Sequence, residues 1–429
     1  MKLMQEMKVQ EYDTPRRYFK LPQSTQASGV QRDLCFDGGF YWLEYRGEEQ
    51  IRSEASNFPV FDEEEIVLPD GRGSVSSPEE LVDRLYKLLK RVVVLPCETD
   101  FYFTALYSFA TWVYDLHPFV SYLAFIGLSG AGKSEALSAL EQLVFCGVRI
   151  SGADTEATIF RNIDRYRGTL LIDESQVDST NSASRFHKIL TEGFQHKGSV
   201  SIAVQRNETG RDKEHRPRRY SVFGVKVFSG LWLPNHEAIV NRTYEIRIVE
   251  AEASALPKEK TTDDSWLRDA RQLRNDMLLH RQKRLAGEIA PMYNVAEVRE
   301  MMEGLNLVGR ERQVFGWLYS ECPSKSLLDK LSDAVLSRRS RLSEERSMSL
   351  DVQVLLTAHR LHNKEVPVSV KDIVADLKNY DGPIHNKKVA SILRAHGFRL
   401  GRNSDGTTLE VPKSDIAWAL SRQGIKVES

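Results

Sequence analysis

The 429-residue chain is 41% hydrophobic and 28% charged, the balance of a soluble globular protein, and it is too long for one ordinary domain. Its formal net charge of −1 excludes a global pull toward nucleic acid or anionic membrane, so such binding must come from local patches. Four scattered cysteines, Cys35, Cys97, Cys146 and Cys322, contain no CxxC pair, which excludes a zinc ribbon or a disulfide framework and leaves reduced, partly buried thiols.

The first stretch, "MKLMQEMKVQEYDTPRRYFK", lacks the apolar core of a signal peptide, and a cytoplasmic location is expected. Residues 1–75 form a small β-rich unit, with "DLCFDGGFYWLEYRG" as two strands around Asp37-Gly38-Gly39. Turn formers in "LPDGRGSVSS" mark a boundary. Helices and apolar strands then alternate over 76–250, the pattern of a parallel α/β sheet. The most membrane-like stretch, residues 101–127, is interrupted by Asp115, His117 and Pro118, so a buried helix and strand are expected and no membrane partner. Residues 251–349 carry long charged helical patterns. Residues 350–429 read as helix–turn–helix plus hairpin, a winged-helix outline: Ser369 with Asp372 forms a capping box, Val389, Ile392 and Leu393 share a helix face, and a hairpin turns at Asp405-Gly406.

Within the α/β region lies Gly127-Leu128-Ser129-Gly130-Ala131-Gly132-Lys133-Ser134, a full GxxxxGK[ST] match between the strand "YLAFI" and a helical stretch from Ser134. Glycines let backbone N–H groups turn inward around phosphate oxygens, and a helix N-terminus adds partial positive charge. Lys133 is expected to reach the β- and γ-phosphates and Ser134 to ligate Mg²⁺. Downstream of Lys133, "RGTLLIDESQ" has a short apolar strand that delivers Asp173 and Glu174 to its C-terminal end. Asp173 would hold Mg²⁺ through water, and Glu174 would orient and polarise the attacking water. The cofactors are therefore ATP and Mg²⁺, adenine being favoured because no NKxD-like guanine reader is present.

The order "YLAFIGLSGAGKS", "ADTEATIFRNIDRYRGTLLIDES", "FGVKVFSGLWLPNHEAIVNRTYEIRI" and "LVGRERQVFGWLY" resembles the AAA+ ATPases of the MCM-like helicase group, as carried by mobile genetic elements, over roughly residues 100–420. The resemblance implies a P-loop AAA+ core with a helical lid and a C-terminal winged helix, working as a homo-oligomer, a hexameric ring. It implies an arginine finger, acting on the neighbouring subunit, at Arg242, with Arg247 as rival; pairing with Glu245 or Glu237 is the alternative fate of Arg242. It implies a lid arginine at Arg310, with Arg312 as rival, and a polar sensor at Ser229, or at Asn235 in the loop, where the family has asparagine. Finally it implies a hairpin pointing into the ring's channel, with residues 206–219 as its tip.

That hairpin carries Arg206, Arg211, Lys213, Arg216, Arg218 and Arg219, preceded by His196 and Lys197. Positive side chains along a phosphate path release counterions as DNA binds. A second basic group, Lys387, Lys388, Arg394, Arg399 and Arg402, occupies a stretch without acids in the winged-helix outline. The chain therefore reads as an ATP-dependent DNA helicase or translocase acting on single-stranded or forked DNA, and the resemblance implies a role in the replication of a mobile element. An ATP-dependent initiator or loader without unwinding is the alternative. A protein remodeller would need an aromatic–hydrophobic pore loop and an ABC-type ATPase an LSGGQ-like signature, and the sequence offers neither.

Overall fold

The computed structural model describes residues 17–20, 31–36, 40–46, 49–54, 66–67, 69, 73–150, 154–173, 185–205, 215–231, 233, 237–285, 287–362, 368–377, 384–403, 406–409, 411–422, 425 and 427. The chain divides into two compact units, Met1–Ala334 and Val335–Ser429.

The first unit opens with an antiparallel sheet in which β1 (Arg17–Lys20), β2 (Gln31–Phe36), β3 (Phe40–Arg46) and β4 (Glu49–Glu54) pair in chain order. Phe36 and Phe40 are register partners, as the expected hairpin requires; its turn, Asp37-Gly38-Gly39, lies outside the described residues. β1 and β4, "RYFK" and "EQIRSE", are strands that no clean apolar alternation announces. Ile66 bridges Val148 and is buried with it and Tyr166, so the packing of the α/β core reaches back past residue 76.

Helix α1 (Pro78–Val92) starts where Ser77 Oγ accepts from Glu80 N at 3.1 Å, with proline at its first position and basic residues in its last turn. Its buried stripe is Leu81, Val82, Leu85, Leu88, Leu89 and Val92. Helix α2 (Glu98–Ala110) is apolar almost all round and buried from Phe103 onward, as expected for the start of segment 101–127. Among the described residues no helix is long and apolar enough to cross a membrane.

Next come β5 (Tyr122–Ile126), α3 (Lys133–Leu143), β6 (Val148–Ile150), α4 (Glu156–Tyr166), β7 (Leu170–Ile172), α5 (Arg185–Glu192), β8 (Ser199–Gln205), β9 (His215–Ser221), β10 (Lys226–Gly230), α6 (Glu237–Val240) and β11 (Thr243–Arg247). Five of these strands form a parallel sheet, flanked by helices, in the order β11-β5-β10-β7-β6. Strands β5, β7 and β10 are buried along their whole length, which is why they read as continuous apolar runs.

The segment "RYSVFGVKVFSG" divides between two sheets: β9 pairs with β8 in a separate two-stranded sheet, and after Val222–Val225 the chain enters the parallel sheet as β10. Because Gln205 pairs with His215, Arg216, Arg218 and Arg219 belong to strand β9 rather than to the hairpin tip.

Helices α7 (Asp264–Leu285), α8 (Val295–Gly304), α9 (Arg310–Glu321) and α10 (Lys325–Ser347) follow. Through Ala334 they belong to the first unit. Trp266 Nε1 on α7 donates to Leu88 O at 3.0 Å, and Trp317 Nε1 on α9 donates to Ser121 Oγ at 3.1 Å. Arg281, buried, grips Asp115 with two hydrogen bonds of 2.7 and 2.8 Å.

The second unit holds α11 (Leu350–His362), α12 (Val370–Asp376), α13 (Asn386–Ala395), β12 (Leu400–Asn403), β13 (Gly406–Leu409) and α14 (Lys413–Arg422). The capping box is present: Ser369 Oγ accepts from Asp372 N at 3.0 Å, and Asp372 Oδ2 accepts from Ser369 N at 3.2 Å. Val389, Ile392 and Leu393 enter a core with Ile373, Val354, Leu355, Ile416 and Leu420. β12 and β13 form the hairpin, Asn403 pairing with Gly406, and a Ser369–Thr408 bridge ties it to the start of α12; Asp405 lies outside the described residues.

Candidate functional site

The GxxxxGK[ST] loop occupies the turn from the C-terminal end of β5 into α3. Gly130 and Gly132 have φ of +85° and +95°, left-handed values that side chains resist, and a Cβ at either would meet nothing within 4 Å. Glycine is thus required there by backbone conformation, while the space beside the loop stays open to a ligand. Ala136 N donates to Gly132 O at 3.1 Å, so the helix begins immediately and its first N–H groups point at the loop. Lys133 is buried, and its Nζ donates to Gly127 O and Leu128 O, both at 2.8 Å. Leu128 and Ser134 are exposed, Ala131 is buried, and Glu135 Oε1 accepts from Thr261 N at 2.8 Å, pinning the first turn of α3.

Asp173 follows β7 directly. Two strands bring it to the loop: Gly127 N donates to Gly230 O at 3.1 Å, and Ser229, one residue earlier on β10, donates to Asp173 Oδ1 at 2.7 Å. Asp173 Oδ2 accepts from Arg149 on β6 at 3.1 Å; Arg149 also reaches Ser138 Oγ at 3.1 Å and Glu141 at 3.5 Å. The Glu141 carboxyl is raised, by burial first and against the pull of Arg149. Ser229, on β10, thus lies beside Asp173, while Asn235 and Glu174 lie outside the described residues. Arg149 was missed: a single arginine inside the apolar run "VRIS" gives no signal of its own. A glycine loop at a helix N-terminus, a lysine, an exposed serine and a carboxylate at the C-terminal ends of neighbouring strands fit a nucleotide phosphate chain with its Mg²⁺, which Lys133, Ser134 and Asp173 would hold.

Arg242 and Arg310 gather elsewhere. Arg242 precedes β11, whose Thr243 pairs with Tyr122 at the start of β5, whereas the loop leaves the end of β5. At about 3.3 Å per residue the two ends of β5 are about 13 Å apart. Arg242 is buried, its guanidinium 4.2 Å from the Phe194 ring centroid, and it donates to Ala238 O at 2.6 Å. Burial, and next the neighbouring Arg310, hold it below the ordinary arginine range. Arg310, exposed at the start of α9, stacks on the same ring at 4.7 Å. The rivals are engaged otherwise: Arg247 pairs with Glu245 at 2.7 Å, and Arg312 binds Leu307 O and Glu303. The alternative fate of Arg242 as a partner of Glu245 is thus not what the side chain does.

Of the expected DNA contacts, Arg206, Arg211 and Lys213 lie outside the described residues, and Arg216 and Arg218 lie on β9. Arg219 is exposed and clasps β8, donating to Ser199 Oγ at 2.6 Å and Lys197 O at 3.4 Å; Lys197 is itself exposed. In the second unit Lys387, Lys388, Arg394, Arg399 and Arg402 are all exposed, on α13 and on the way into and along β12.

No protein-family model matches the chain, and no curated protein does. Among solved structures it is similar to the C-terminal region of NrS-1, at 11% identity over 91% of this chain and 98% of that one, with a TM-score of 0.37. It is similar to a full-length MCM homolog from Methanopyrus kandleri, at 12% identity over 75% of each chain and a TM-score of 0.33. It is also similar to SCCmec type IV Cch, an active helicase, at 12% identity over 95% of this chain and 94% of that one, with a TM-score of 0.40.

Proposed function

We propose that the chain is an ATP-dependent DNA helicase or translocase, working as a homo-oligomeric ring, a hexamer, in the replication of a mobile element. The observation that carries this reading is the meeting of the Gly127–Ser134 loop and Asp173 at the C-terminal ends of β5 and β7, with Ser229 on the strand between them. Those groups suit binding and hydrolysis of a nucleoside triphosphate. The loop's N–H groups and Lys133 would neutralise phosphate charge, Ser134 and Asp173 would hold the cation, and Ser229 fixes the carboxylate. Glu174 orients the water. Mg²⁺, when bound, neutralises charge that develops on the transferring phosphoryl group.

Arg242 and Arg310 meet at Phe194, beside the end of β5 that lies away from their own loop, and the reading assigns both to the loop of a neighbouring subunit. The hairpin β8–β9 and the basic face of the second unit supply the two DNA contacts. A strand-displacement assay on 3′- and 5′-tailed forks, wild type beside Glu174→Gln, tests the proposal. Displacement by wild type and not by Glu174→Gln is expected, and the preferred fork gives the polarity. DNA-stimulated ATP hydrolysis with no strand displaced on either fork would favour the initiator or loader instead.

A further inference from the structure

Lys226 opens β10 with its side chain wholly inside the protein. Its Nζ donates to three backbone carbonyls, Gly224 at 2.8 Å, Val222 at 2.9 Å and Gly193 at 3.2 Å, and lies 5.1 Å from the centroid of the Tyr122 ring. Three acceptors around one amine require three N–H donors, and only the ammonium has them. Burial works against that charge and draws the amine's pKa down to about 7. A buried lysine of this kind costs stability unless its contacts are worth more elsewhere.

The three carbonyls flank the β8–β9 hairpin on both sides. Gly193 ends the helical turn that leads into β8, while Val222 and Gly224 leave β9. The same root is closed by backbone hydrogen bonds, Val222 N to Gly198 O at 3.0 Å and Gly224 N to Gly193 O at 3.1 Å. Three residues farther along the same strand, Ser229 donates to Asp173 at 2.7 Å. One short strand, about 10 Å from Lys226 to Ser229 at 3.3 Å per residue, thus has the hairpin root at one end and the expected magnesium ligand at the other.

From this geometry we infer that Lys226 is a positioning residue whose ammonium pins the root of the hairpin to β10, so that displacements of that strand at the nucleotide reach the hairpin. The inference rests on the reading of the chain as a DNA-responsive ATPase. It identifies the link between the two sites as a carbonyl cage around one buried amine. Lys226 touches neither the loop nor Asp173, so its loss affects transmission and not nucleotide binding.

The test uses the full chain as wild type, Lys226→Met and Lys226→Gln; methionine removes all three donors and glutamine keeps two. Amide hydrogen exchange at Val222 and Gly224 is followed beside ATP hydrolysis with and without DNA. Exchange at these amides should be at least tenfold faster in Lys226→Met and intermediate in Lys226→Gln. KM for ATP and turnover without DNA should stay within about threefold of wild type, while DNA stimulation falls at least tenfold. If Lys226→Met does not fold, Lys226→Gln decides alone. Exchange as slow as in wild type, or a DNA response of wild-type size from a loosened root, overturns the inference. A wild type that hydrolyses no ATP overturns the functional reading instead, and root exchange still reports whether the amine holds the hairpin.

Discussion

Arg149 lies 3.1 Å from Asp173, so the carboxylate expected to hold magnesium already carries a guanidinium. A fixed cation competes with a mobile one for the same oxygen, because both draw on the same negative charge. Arg149 also touches Ser138 on α3, which places it between the loop helix and the carboxylate. Arg149→Ala should lower the Mg²⁺ concentration needed for half-maximal ATP hydrolysis several-fold. A magnesium titration at saturating ATP checks this, and an unchanged midpoint would remove Arg149 from any part in metal loading.

Arg242 and Arg310 share the Phe194 ring at the opposite end of β5 from the loop. Each substituted alone by alanine should cut hydrolysis, Arg242→Ala by about a thousandfold or more if it stabilises phosphoryl charge in the way arginine fingers do. Mixing either variant with Lys133→Ala subunits should restore part of the activity, since a mixed ring contains some sites with an intact loop facing an intact arginine. A lid arginine serving its own loop would give no recovery for Arg310→Ala.

His280 on α7 is buried against Phe109, with the ring centroids 4.9 Å apart, and its pKa is lowered to about 4, chiefly by burial. Glu321 opposes that shift, and Arg284 and Lys283 add to it. The folded state thus refuses a proton that the unfolded chain accepts below about pH 6.5. Stability is greatest above that pH and falls as pH drops toward 4, by about 3 kcal/mol in full and about 2 kcal/mol by pH 5. His280→Leu should lose less melting temperature between pH 7 and pH 5 than wild type does. Equal losses would place the acid sensitivity elsewhere.

Lys387, Lys388 and Arg399 stand exposed on and beside α13. Replacing all three by glutamine should weaken DNA binding and flatten its salt dependence by about 2 to 3 in the slope of log K against log salt, because each cation that no longer neutralises a phosphate leaves its counterion in place. Binding isotherms between low and physiological salt measure this. An unchanged slope would make the second unit a protein-docking module.

What was legible in the chain follows from the range of the forces involved. The loop reads directly because glycine spacing is a local demand of backbone dihedrals, and Gly130 and Gly132 adopt the left-handed values that the motif anticipates. The capping box at Ser369 and the buried stripe of α13 are equally local. The break between β9 and β10 was invisible because its cause is tertiary: an apolar run with one lysine looks like a strand until Gly193 closes on that lysine. The neighbourhood of Arg310 was likewise hidden, since only packing sets Phe194 beneath it. Strand β4 escaped because "EQIRSE" has no apolar face to betray it.

The placement of Arg242 before β11 and the loop after β5 has a consequence for the solution behaviour of the protein. If Arg242 completes the site, as the proposed function holds, each site is shared between two molecules. Under the proposed function, turnover per milligram is therefore not a constant of the chain. It should rise steeply with protein concentration and level off once rings are full, and a few inactive copies should silence more sites than their own number.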